Sequence, residues 1–423
     1  MTLTSQQYAG LAEDAYEPRS LTGDNARIRI DDTEFKVLAQ ASNQATGYQG
    51  TIYERVGTSE IVVAHRGTEG NRGLDALLQD GVRTDGGMVL ARANIQAKDA
   101  IDLTKVALGF AEARARDGRS HEVTVTGHSL GGCLAQITAH HFGLRGETFN
   151  AYGAASLDRR IPEGGNSVIN HVTALDSVSA ASPHFGEVRI YARPDEILAL
   201  RNTGYENDAS VLDVRSIKEA VRRGLGSHSM HHFLGVDGAG RPDRSVLSDP
   251  TARELAERYA PMIGKFRDDV GYTRAAITLG SRSVSGHLSD LMDEIRGPLQ
   301  PGVPASRERQ YDHDSHHFLR MHATDSRGAR IRPLVPDSPH KPEFQGRIES
   351  DPVGFLDRMI AADKAGQSEV LRHMTQDLAN LDPGREQRAE AAAAVDRAEV
   401  AAAQQAQEAQ HQERTAPRRA ISH

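Results

Sequence analysis

The sequence predicts an α/β fold, a mostly parallel central sheet flanked by helices, followed by a largely helical and partly disordered C-terminal extension. Three observations predict it. Short β-branched runs alternate with longer amphipathic stretches from about residue 25 to residue 195, the pattern of parallel strands joined by helices. At 423 residues the chain is long enough to bury a full core and to hold more than one domain. Beyond about residue 241 the composition turns polar. It is broken by Pro-rich stretches at 297–306 and 332–344 and ends in an Ala-, Gln- and Glu-rich tail from Gly384, which cannot bury a core.

The elements follow in order. Residues 1–18 place Leu3, Tyr8, Leu11 and Tyr16 as the apolar residues of an amphipathic helix. "ARIRID", "FKVLAQAS" and "QGTIYERV" read as short strands, and "EIVVAHRGTEG" as an apolar strand, Ile61 to Ala64, running into a Gly loop. The segment 70–92 is Gly-rich and reads as irregular. From Asn94 to Asp117 the pattern is helical, with Leu103, Ala107 and Phe110 on one face and Gly118 as the stop. "HEVTVTG" is a strand, and "LAQITAHHFG" is a helix closed by Gly143. "ETFNAYGA", "SVINHVTALD" and "EVRIYA" are further strands. A helix around Val211 to Arg223 leads into "GLGSHSMHHFLG", and residues 249–296 are helical and polar. The expected division is 1–240, an α/β domain; 241–300, a helical extension; and 301–423, a C-terminal region of linkers and tail.

Composition excludes several function classes. A net charge of −8 gives no electrostatic case for nucleic acid. No run of eighteen apolar residues is present, so no membrane span is expected. The N-terminus lacks a basic region and an apolar stretch, which predicts a chain made in the cytoplasm, with export only by a signal-peptide-independent route. The single cysteine, Cys133, forms no internal disulfide and reads as a packing residue of the helix after the turn, not as a nucleophile. His313, Asp314, His316, His317 and His322 have ligand-like chemistry but no standard zinc spacing, since adjacent side chains point apart on a regular element. No metal and no cofactor are expected.

The chemistry is carried by Gly127-His128-Ser129-Leu130-Gly131. G-x-S-x-G between a strand and a helix is the pattern of a nucleophile elbow. The central residue adopts a strained backbone conformation that exposes its hydroxyl, and the glycines relieve the crowding of so sharp a turn. The alternative is a structural Gly-Ser turn. A serine nucleophile needs a base and a group to orient that base, and after such an elbow the acid and then the base follow in chain order. Asp176 stands at a strand end; Asp158, Asp195, Asp208 and Asp213 are its rivals. His228, flanked by glycines, is the preferred base, with His231 and His232 as alternatives. The backbone N–H of Leu130 supplies one oxyanion donor, and Thr68, after the strand at 61–64, the second. Arg66 reads as a structural ion-pair partner.

Together "AHRGTEG", "VTVTGHSLGGCLAQ", "NHVTALDSV" and "HSMHHF" resemble the class 3 lipase family of α/β-hydrolases over roughly residues 1–240. The resemblance implies Ser129, Asp176 and His228 as a triad, Thr68 and Leu130 as the oxyanion hole, and a lid at about 70–92. It implies hydrolysis of acylglycerols or phospholipid acyl esters without a cofactor, in transient contact with a membrane surface. The absence of tryptophan departs from the lids of many such lipases. A lipase-like segment followed by polar helices and a Gln-rich tail also resembles antibacterial lipase effectors of specialised secretion systems. That implies a delivery or partner-binding role for 301–423, with secretion machinery or a cognate immunity protein as partner. Two rival functions use the same sequence features: a non-catalytic interaction protein on a hydrolase scaffold, and an acyltransferase using the same triad.

Overall fold

The computed structural model describes residues 3–19, 26–58, 60–67, 85–115, 122–155, 159–210, 213–281, 297–303 and 320–323. All belong to the first of two units into which the chain divides, 1–336 and 337–423. The elements in chain order are α1 (Ser5–Asp14), β1 (Arg27–Ile30), β2 (Thr33–Asn43), β3 (Tyr48–Arg55), β4 (Ile61–His65), α2 (Asp85–Ala115), β5 (Val123–His128), α3 (Leu130–Phe142), β6 (Arg145–Phe149) and β7 (Gly164–Thr173). They continue with α4 (Ser177–Ala180), β8 (Phe185–Tyr191), α5 (Pro194–Asn202), α6 (Ile217–Arg223), α7 (Pro250–Arg258), α8 (Ala260–Ser281) and β9 (Arg320–Ala323).

The strands lie in the sheet in sequence order, β1 to β8. β1 to β4 form an antiparallel meander, and β4 to β8 run parallel. β9 pairs with β2 at Ala39–Ser42, beyond the stretch that β1 covers. The expected α/β class with parallel pairing is the observed one. β4 and β5 are buried along their whole length, as parallel strands covered on both faces must be. Their side chains alternate between two cores. Ile61, Val63, Val123 and Val125 pack on the side of α2 and α3, with Leu103, Leu134 and Ile137. Val62 and Ala64 pack on the other side with Leu11 of α1, Phe149, Tyr191 and Phe233. A third core joins Leu175 to Ile197 and Leu200 of α5, Val221 of α6, and Met262, Ile263 and Phe266 of α8.

Local chemistry sets the helix ends. Thr4 and Gln7 form a reciprocal capping box at the start of α1. Gly143, at φ 69°, closes α3 in the left-handed region, as the sequence predicts.

Several expectations are corrected. The irregular reading of 70–92 fails for 85–92, which form the first turns of α2. Met88-Val89-Leu90-Ala91 are acceptable or good helix formers, and the glycines at 86 and 87 fall in the first turn, where they cost little. α5 was not expected, although Pro194 in its first turn and Glu196 three residues after Arg193 are helix-start signals. α6 begins at Ile217, six residues after the expected start; Val211 lies outside the described residues. The strand expected over "ETFNAYGA" ends at Phe149. Part of the stretch read as a linker is docked: Leu299 N–H donates to Arg160 O (2.8 Å) and Gly302 N–H to His140 O (2.7 Å). His313, Asp314, His316, His317 and the tail lie outside the described residues.

Candidate active site

β5 runs between β4 and β6 and delivers Ser129 at its carboxyl end. Ser129 has φ 58° and ψ −124°, a conformation that costs a non-glycine residue strain and persists only where the surroundings enforce it. Here its N–H donates to Phe149 O (3.1 Å), and its carbonyl accepts from Tyr152 N–H (3.3 Å) and Cys133 N–H (3.2 Å). The flanking glycines are required by contact: a Cβ on Gly131 would collide with the His65 carbonyl, and one on Gly127 with the Gly131 backbone. Leu130 opens α3, so its N–H belongs to the first turn, where helical N–H groups have no partner within the helix. Thr68 lies outside the described residues.

Ser129 Oγ–H donates to His228 Nε2 (2.9 Å), and His228 Nδ1–H donates to Asp176 Oδ1 (3.0 Å). The carboxylate accepts only, which fixes the proton of the neutral ring on Nδ1 and leaves Nε2 free to accept. All three residues are buried. Asp176 also accepts from Val178 N–H at Oδ1 (3.1 Å) and from Ser179 N–H at Oδ2 (3.0 Å). Burial pushes its carboxyl pKa up; the neighbouring His228 and the hydrogen bonds from His228 and Ser179 outweigh that and hold it below the usual carboxylate value.

His228 ends a single 3₁₀ turn, Leu225–His228, that is pinned from three sides. Ser227 O accepts from Asn150 Nδ2 (2.8 Å) and Thr173 Oγ1 (2.7 Å). His228 O accepts from His128 Nε2–H (2.8 Å), and the two rings stand 4.8 Å apart. His128 Nδ1 then accepts from the Tyr16 hydroxyl (3.1 Å). Burial drives the His128 pKa down to about 3, so the ring stays neutral. Glu196 ties the acid side together, accepting from Leu175 N–H (3.2 Å) and Arg193 N–H (3.0 Å).

The alternative bases are engaged elsewhere. His231 Nδ1 bonds to Ser229 Oγ (2.6 Å). His232 Nε2–H donates to Gly226 O (2.9 Å), and the ring abuts Arg193. Asp195 pairs with Arg193, and Asp208 and Asp213 with Lys265; Asp158 lies outside the described residues. Cys133 is fully buried, and burial pushes its thiol up to about 12, the state of an inert packing residue. Arg66 meets Gln49 and lies over the Tyr16 ring, 5.4 Å from its centroid. Sequence reasoning did not find Tyr16, His128, Asn150, Thr173 or Glu196 as supports. Only Glu196, in its capping position, had a local signal. Among the described residues no group of His, Cys, Asp and Glu is placed to hold a metal ion, and no helix is long and apolar enough to cross a membrane.

Residues 7–200 match the model of a family described as "Phospholipase-like: Tle-like phospholipase domain". No curated protein matches the chain. Among solved structures, the chain is similar to a lipase from Rhizopus microsporus var. chinensis, at 19% identity and TM-score 0.28, over 42% of this chain and 68% of that one. It is also similar to the Lip2 lipase from Yarrowia lipolytica, at 13% identity and TM-score 0.33, over 45% of this chain and 78% of that one. His228 falls outside the matched segment. Residues 7–200, a little under half of the chain, are thus similar to a phospholipase-like domain of the Tle-like type.

Proposed function

We propose that this protein is a serine-dependent carboxylic ester hydrolase acting on lipids, of the lipase or phospholipase A type. The observation that carries the reading is the unbroken chain from Ser129 Oγ through His228 to Asp176, at 2.9 and 3.0 Å, within hydrogen-bond reach throughout. The match of residues 7–200 to a phospholipase-like model supports lipid as the substrate class.

In this mechanism Ser129 Oγ attacks the acyl carbonyl carbon while its proton passes to His228 Nε2. The carbonyl oxygen takes the negative charge and is held by the Leu130 N–H and by Thr68. The tetrahedral species collapses, the C–O bond to the alcohol breaks, and His228 returns the proton to the departing oxygen. Water, deprotonated by His228, then releases the fatty acid and restores Ser129. Asp176 keeps the imidazole in the tautomer that accepts from Ser129 and stabilises the imidazolium.

A fluorophosphonate probe tests this directly. Stoichiometric labelling of the Ser129 peptide that an ester substrate suppresses is the expected result. No labelling of the folded protein would favour the non-catalytic scaffold instead. Product analysis with and without an added alcohol separates hydrolysis from acyl transfer: the reading predicts free fatty acid in both. We further propose that the domain acts as an antibacterial effector, with 301–423 as its delivery or partner-binding segment. Directed to the periplasm of a bacterial host, wild type is expected to stop growth and Ser129→Ala is not; equal growth with both would contradict this role.

A further inference from the structure

α8 lies beyond the matched segment 7–200, yet its apolar side, Met262, Ile263, Phe266 and Val270, shares a core with Ala174 and Leu175 beside the acid. On that helix Arg267 faces the acid turn. Its Nη2 donates to Ser179 O (3.0 Å) and its Nη1 to Ser179 Oγ (3.3 Å). Ser179 is also the residue that grips Asp176: its N–H donates to Asp176 Oδ2 (3.0 Å) and its hydroxyl to Asp176 O (3.3 Å). One side chain thus holds both ends of Ser179, and Ser179 holds the carboxylate. A two-pronged guanidinium suits such a task, since its donors are fixed in one plane. Both of its hydrogen-bond partners are neutral atoms of Ser179. Burial lowers the Arg267 pKa, and the charges of Asp176 and then Asp268 oppose that.

We propose that Arg267 is a positioning residue for the acid: it locks the turn that presents Asp176, and its positive charge lowers the proton affinity of the Asp176–His228 pair. The inference rests on the triad assigned under the proposed function. A cation beside the pair disfavours the added positive charge of the protonated pair. Removing the cation therefore moves the acid limb of kcat/KM to higher pH. Among the described residues, the other titratable groups facing the pair are His128 from β5, His184 just before β8, and Glu196 of α5. Burial holds His128 at about 3 and His184 at about 4, so both stay neutral through the assay. Burial raises Glu196, and it is the same in every variant compared.

The test is the pH profile of kcat/KM for the full chain on a soluble short-chain p-nitrophenyl ester, with wild type, Arg267→Gln, Arg267→Lys and Ser179→Ala. For Arg267→Gln the expected result is a kcat lowered about tenfold and an acid limb raised by about half a unit or more. Arg267→Lys keeps the charge but loses the two-pronged bond, so kcat falls while the limb stays at the wild-type position. Ser179→Ala lowers kcat and leaves the limb in place. An Arg267→Gln limb that coincides with wild type overturns the proposal, as does an Arg267→Lys limb displaced as far as that of Arg267→Gln. Should Arg267→Gln fail to fold, Arg267→Lys decides: wild-type kcat there breaks the link from the two-pronged bond to Asp176, and a displaced acid limb removes the role of the charge. Wild type that neither hydrolyses the ester nor takes up fluorophosphonate overturns the triad itself, and this inference with it.

Discussion

At Ser129 only one histidine of the 228–232 cluster is in range. His228 Nε2 is 2.9 Å from Ser129 Oγ, whereas His231 and His232 are bonded to Ser229 and Gly226. Ser129→Ala and His228→Ala are each expected to lower kcat by about 10⁴-fold or more, and the double variant little further, because the groups act as a unit. His231→Ala and His232→Ala should keep kcat within about threefold of wild type, measured on the same ester; comparable losses there would contradict the assignment. The serine and the strand-end aspartate are legible in the sequence because an elbow needs glycines at fixed offsets and an acid needs a strand end. The histidine is legible only as a preference for His228, since three of them occupy the five residues from His228 to His232. Only the pinning of Ser227 and His228 by Asn150, Thr173 and His128 decides which one meets Ser129. Those are contacts over distances in sequence that no local pattern records.

The elements around the site act as braces, and their weakest points are identifiable. Asn150, fully buried at φ 41°, accepts from Thr173 N–H (2.9 Å) and donates to Ser227 O (2.8 Å). It joins the ends of β6 and β7 to the turn that carries His228. Asn150→Ala leaves a buried donor and acceptor without this partner, so a loss of about 2 kcal/mol or more is expected in chemical denaturation. A lowered kcat should accompany it. Gly131→Ala drives a methyl group into the His65 carbonyl. It is expected to cost more than about 3 kcal/mol or to prevent folding, whereas a tolerated alanine would contradict the close packing of α3 on β4. At this scale the strands were the most legible elements, because alternation and β-branched runs report burial directly. The start of α2 was obscured by two glycines in its first turn. The role of α8 was hidden because a polar helix discloses neither its packing partner nor the direction in which Arg267 points.

At the scale of the whole molecule, the buried histidines make acid a threat to the fold. His65 and His128 are driven down to about 3, and His184 and His232 to about 4, chiefly by burial. The unfolded chain protonates these rings near pH 6.5, while the folded chain resists until pH 3 to 4. Unfolded chains therefore bind more protons across that window, and stability falls as pH drops through it. Asp176, with its folded-state value lowered, adds stability that is present above its unfolded value and lost only at still lower pH. Tm is expected to fall by more than about 5 °C between pH 7 and pH 5, and a flat Tm over that range would contradict the buried neutral rings. The α/β class was legible from about residue 25 to residue 195, because strand and helix periods alternate there. The substrate was legible only as a class, since the residues that would line an acyl or headgroup pocket carry no motif. The central claim is that Ser129 cleaves lipid acyl esters, and mass spectrometry of mixed bacterial phospholipids after incubation tests it most directly. Wild type is predicted to release free fatty acid with matching lysophospholipid while Ser129→Ala releases neither. Equal product from both proteins, or none from a wild type whose parallel, unreacted sample takes up the fluorophosphonate probe, would contradict it.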